Sequence, residues 1–175
     1  MPGRTEDGYK LLFGECLSVS FQRYPESQFR GSAEVPRSHG ALPVELSSPT
    51  TALLAVREGE GVWLGLIPYA DHQCPVQVSW LSTGSSDDIP LPWSATLASL
   101  HFLHGLRTRN NVFCPFVRFP MSRELMPCAG VTIFARGEEG KRIEFVTVNE
   151  FEAQTGKSAP PPMSPDDAYG GWLLP

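Results

Sequence analysis

The chain reads as mainly β: an antiparallel sandwich or barrel-like domain with one amphipathic helix over about 94–106, a short helix near 150–155 and an extended C-terminal arm. Three observations predict this. Glycine (16) and proline (17) together make nearly a fifth of the 175 residues, which favours turns and short elements over long helices. Apolar and polar residues alternate at period two in several short runs. Ser/Pro/Gly clusters at 31–40, 47–50 and 82–92 separate those runs at the spacing typical of sandwich strands. An α+β arrangement is the alternative.

Taken in order, residues 11–21 read as the first strand, and 41–46 as a weaker one. Residues 51–57 and 62–67 flank the loop Glu58-Gly-Glu-Gly61 and read as a hairpin. Their continuous apolar runs (ALLAV, VWLGLI) place that pair deep in the core. Residues 76–81 alternate as a strand. Ser94 can cap a helix from 95 to 106, with Leu97, Leu100, Leu103 and His104 on one face and Gly105 as its terminator. Residues 112–119 form a weaker strand.

The clearest local signal is a hairpin at 131–148. Val131, Ile133 and Ala135 alternate before Gly137-Glu-Glu-Gly140, and Ile143, Phe145 and Thr147 alternate after it. Asn149 followed by Glu152 reads as an N-cap with its capping-box partner, and Gly156 as the stop. The expected organisation is a globular β-rich domain over 1–156 and a proline-rich arm over 157–175. In that arm, Pro160–Pro162 should run extended, held away from the fold or laid along its surface.

Composition excludes several classes. Formal charge is −5, so a uniformly basic, nucleic-acid-coating protein is excluded, although a local basic patch is not. The start of the sequence is polar, and its first apolar run is broken by Gly14 and Glu15, unlike a signal peptide. No run of eighteen apolar residues suggests a membrane span. Four cysteines lie far apart (16, 74, 114, 128) without a CxxC pair. That spacing predicts reduced thiols in the cytoplasm rather than a disulfide scaffold. No nucleotide-binding, zinc-protease or nucleophile-elbow motif occurs, and no cofactor is expected.

Three groups of residues remain as candidates. Tyr169, Trp172, Leu173 and Leu174 end the arm, with Gly170-Gly171 between the rings, and suit either folding back on their own domain as a latch or anchoring to a protein partner or a second copy. From His101 to Arg123 there are four arginines and no carboxylate, a local +4 in a chain of −5. Arg107, Arg109, Arg118 and Arg123 interleave with Phe113, Phe116 and Phe119, the combination that binds single-stranded nucleic acid by phosphate pairing and base stacking. His101 and His104, three apart on the expected helix, could share a metal with Cys114 and Cys128. Alternatively a cysteine, Cys74 in Asp71-His72-Gln73-Cys74 included, could act as a nucleophile. Buried structural thiols and histidines are the simpler interpretation. The function expected is therefore a non-catalytic binding or accessory protein acting through protein contacts. A nucleic-acid-associated protein and a Cys/His hydrolase or metal enzyme are the alternatives.

Overall fold

The structure, a computed structural model, describes residues 4–6 (backbone only), 8–69, 73–84 and 88–164. It is a two-sheet sandwich. The first sheet holds β1 (Arg4–Glu6), β2 (Lys10–Phe13), β3 (Leu17–Pro25) and β6 (Glu60–Pro68). Beyond β6, its edge is shared by β9 (His101–Leu103) and by β11 (Phe113–Val117), which in turn pairs β10 (Gly105–Arg107). The second sheet runs β4 (Glu45–Ser48), β5 (Thr51–Ala55), β13 (Lys141–Val146), β12 (Cys128–Ala135), β7 (Cys74–Ser82) and β8 (Trp93–Leu97). Every pairing within these sheets is antiparallel except β5–β13.

The core lies between the inner faces. Val19 and Phe21 of β3, and Leu64 and Leu66 of β6, share one apolar cluster with Val76 and Val78 of β7, Ile133 of β12 and Phe145 of β13. Strand alternation sets this division. Along β5, Ala52 and Leu54 enter that cluster, whereas Leu53 and Ala55 face outward onto Phe151 of the helix α1 (Val148–Thr155). Both faces of β5 are therefore buried, which explains its unbroken apolar run.

The hairpin at 131–148 forms as β12–β13. The other expected hairpin does not: the strands at 51–57 and 62–67 exist but lie in different sheets, β5 beside β4 and β13, and β6 beside β3. The intervening turn is satisfied without a ladder. Glu60 accepts from the Arg57 N–H (3.0 Å), and the Gly59 N–H donates to the Phe119 carbonyl (2.9 Å). Residues 11–21 are likewise two strands, β2 and β3, folded about the turn where Cys16 N–H donates to Phe13 O (3.1 Å). The weak strand expected at 41–46 is displaced: β4 covers Glu45–Ser48, and before it only Ala41 forms a single bridge, to Gln22.

The helix expected at 94–106 is overturned. That stretch supplies β8, β9 and β10. The leucines read as a helical face, Leu97 and Leu103, enter the sandwich core from separate strands, together with Leu106. Trp93 and Ala95 pack against the core while Ser94 and Thr96 are exposed, a period-two pattern. Gly105 does not terminate a helix; it lets β10 approach β11, where a Cβ would collide with the Cys114 carbonyl and the Phe113 ring.

The short helix near 150–155 is present as α1. Its N-cap is Thr147 rather than Asn149: the hydroxyl accepts from Glu150 N–H (3.2 Å) and the Glu150 carboxylate accepts from Thr147 N–H (2.8 Å). Gly156 closes it in the left-handed conformation (φ 70°). Residues 157–164 then lie on the fold. Lys157 pairs with Glu45 (2.7 Å), Ala159 packs beside Phe151, and the Pro161 carbonyl accepts from Arg23 Nη1 (2.7 Å).

Two further features position the site. Cys16 and Cys74 form a disulfide between the β2–β3 turn and the start of β7, so those two thiols are not reduced as expected. The loop from Glu26 to Val44 crosses the outer face of the first sheet. There the Ser38 hydroxyl donates to Gln22 Oε1, and His39 N–H donates to Arg23 O (2.7 Å).

Candidate functional site: an aromatic cleft beside the crossing loop

A cleft of about 520 Å³ opens between the crossing loop and the strands 93–113. Its walls are built by alternation. Phe102 on β9 pairs across from Gly65 and meets Trp63 edge-on (centroids 5.1 Å). Trp93 of β8 and His101 of β9 come from different sheets and stack at 5.0 Å with 16° between planes. Phe113 lies against His104 (4.7 Å) and parallel to Phe29 of the crossing loop (6.0 Å, 11°).

Polar groups are few and directed. His104 is buried, and its Nε2–H donates to the Gly31 carbonyl (2.8 Å), which fixes that tautomer. Burial pushes both His101 and His104 below the ordinary histidine value, the Gly31 carbonyl partly offsetting this at His104. Both rings are thus neutral stacking surfaces at neutral pH. Arg107 lies over Phe113 (5.5 Å) and donates to Ser32 Oγ (2.6 Å) and to Asn111 O (3.2 Å). Among the described residues that line the cleft, Arg107 is the only charged one.

The sequence candidates divide among several places. His101, His104, Arg107 and Phe113 converge on this cleft, but from β9, the link between β9 and β10, β10 and β11, and not from one helix face. Arg118 lies beyond the other end of β11, over the Phe119 ring (4.6 Å), in a second cleft. Phe116 is fully buried against Trp80 and offers no stacking surface. Arg109 and Arg123 are exposed in the flanking loops. Cys114 and Cys128 are both buried, and burial pushes each thiol pKa up, strongly so for Cys128. Cys74 is consumed by the disulfide. No group of three metal-ligating side chains occurs among the described residues, so His101, His104, Cys114 and Cys128 do not form one. His72, Tyr169, Trp172, Leu173 and Leu174 lie outside the described residues.

Sequence reasoning missed Trp93, Phe102 and Phe29. The signal for the first two was present: aromatic residues at 93 and 102 flank a stretch that alternates at period two once it is read as strand. Phe29 carried no local signal, because only the tertiary path of the crossing loop brings it here.

No known family model, curated protein or solved structure matches this chain.

Proposed function

We propose that this protein is a non-catalytic binding module that captures a segment of a partner protein in the aromatic cleft. One observation carries the proposal: Trp93, His101, Phe102, His104 and Phe113 converge around one concave site that also presents Arg107. Preformed concave sites with apolar walls and few directed polar groups are the usual geometry of ligand recognition. The side chain captured is aromatic or aliphatic, because the cleft walls are rings. A carboxylate beside it matches the Arg107 guanidinium, which suits planar anionic groups. Thiol chemistry finds little support, since both free cysteines are buried and held protonated. A nucleic-acid role would have to do without Phe116 and with Arg107 and Arg118 at opposite ends of β11.

No helix among the described residues is long and apolar enough to cross a membrane. The Cys16–Cys74 disulfide favours an oxidising compartment over the cytoplasm.

Selection from a random peptide library on the full-length protein tests the proposal. The wild type is expected to enrich peptides with an aromatic residue next to Asp or Glu. Arg107→Glu should reverse the charge preference toward Lys or Arg, and Trp93→Ala should abolish enrichment. The same enriched sequences on wild type and Arg107→Glu would place the binding site elsewhere.

A further inference from the structure

The second cleft, about 700 Å³, lies where the β5–β6 turn, the end of β11 and the start of α1 meet. Val56, Phe119, Pro120 and Pro127 give it apolar walls, and Arg57 and Arg118 give it cations. Arg118 has no carboxylate within 4.0 Å among the described residues and lies over the Phe119 ring (4.6 Å). Among the described residues, Arg57 Nη1 is buried without a hydrogen-bond acceptor and faces Glu60 at 4.0 Å. Besides Glu60, two acidic groups stand near: Glu58 is exposed at the rim, and the Glu150 carboxylate accepts from Thr147, with Arg118 close enough to help lower its pKa. The cleft thus presents apolar surface beside a guanidinium, Arg118, that no carboxylate among the described residues contacts directly.

The path of residues 157–164 leads toward it. Pro161 O is held by Arg23, Arg23 pairs with Glu60 (3.7 Å), and Glu60 faces Arg57, which lines the cleft. The segment that follows, residues 165–175, reads PDDAYGGWLLP. It carries two carboxylates, Asp166 and Asp167, then Tyr169, Trp172, Leu173 and Leu174. Eleven extended residues reach up to roughly 36 Å, ample for a cleft two ion-pair steps from Pro161.

We propose that this cleft is the binding site of the chain's own segment 165–175, with Asp166 and Asp167 set against Arg118 and Arg57 and the Trp172 ring against Phe119 and Pro120. The charges and the apolar surface match in kind. Tethering through Pro161 supplies a high effective concentration for the contact. The site is separate from the aromatic cleft, so this proposal stands or falls independently of the partner-binding one.

Amide hydrogen exchange on the full chain, read by mass spectrometry, tests it. In the wild type, residues 165–175 are expected to exchange at least about tenfold more slowly than the same sequence as a free peptide. Arg118→Glu and, separately, Trp172→Ala should each remove that protection while exchange in β3 and β6 is unchanged. Pairing Arg118→Glu with Asp166→Arg and Asp167→Arg should restore it. Free-peptide exchange at 165–175 in the wild type would overturn the proposal. So would protection that survives both single variants, or protection that vanishes on dilution, which would mark a second copy as the occupant.

Discussion

At the scale of the residue, His104 shows how far one side chain is set by its neighbours. Its ring is packed against Phe113 and Phe29 and donates to Gly31 O, an arrangement that suits the neutral form. Burial lowers its pKa in the fold, whereas the unfolded chain titrates near the ordinary value of about 6.5. Between the folded and unfolded values the unfolded state binds more protons. Stability is therefore full above about pH 6.5 and falls as pH drops below it toward the lowered folded value. His101, lowered by burial on the same cleft wall, acts with the same sign in the same window. Arg107 is the cation that lines the same cleft. His104→Gln retains a donor for Gly31 O without a titrating ring. Urea titrations at pH 7.5 and 5.5 should show a smaller loss on acidification in this variant than in the wild type. An equal loss would mean that His104 is not held neutral by the fold.

Elements differ in how much of their environment they carry in their own sequence. The β12–β13 hairpin was legible because alternation, turn glycines and partner strand all fall within one short window. The β5–β6 pair was not. Both strands are apolar on both faces, one covered by α1 and the other by Phe102 and the crossing loop, so period two cannot say which neighbour a strand takes. Residues 93–107 misled for a related reason: leucines at 97, 100 and 103 imitate a helical stripe, while Leu100 is exposed and the other two enter the core from separate strands. Half of the candidate cleft was legible, as His101, His104, Arg107 and Phe113, but its grouping depended on where strands cross between sheets. The helix α1 allows a sharp test at this scale, since sequence and structure choose different caps. Thr147→Ala removes the hydroxyl of the observed capping box and should lower stability by about 1 kcal/mol. Asn149→Ala, the cap expected from sequence, should change it by less than about 0.5 kcal/mol. Chemical denaturation that reversed this order would move the helix start to Asn149.

For the molecule as a whole, connectivity matters more than any one contact. The chain passes between the sheets five times, at β3 to β4, β5 to β6, β6 to β7, β8 to β9 and β11 to β12. Neither sheet is a continuous stretch of sequence, so neither can keep its strand order while the other unravels. Unfolding should accordingly be one cooperative transition. The Cys16–Cys74 disulfide adds a covalent link from the first sheet's β2–β3 turn to the second sheet's β7, across 58 residues. Closing a loop of that length restricts the unfolded chain by about 4 kcal/mol in the chain-entropy picture, and measured effects often fall below this. Urea titrations followed by tryptophan fluorescence and by far-ultraviolet circular dichroism should coincide for the wild type. They should also coincide for a Cys16→Ser/Cys74→Ser variant, at a lower midpoint. Reductant should move the wild type to the variant's midpoint and leave the variant where it is. Transitions that separate between the two probes would mean the sheets melt one at a time. A wild-type midpoint indifferent to reductant would mean that the interlocked strands alone set the stability, with the disulfide contributing little.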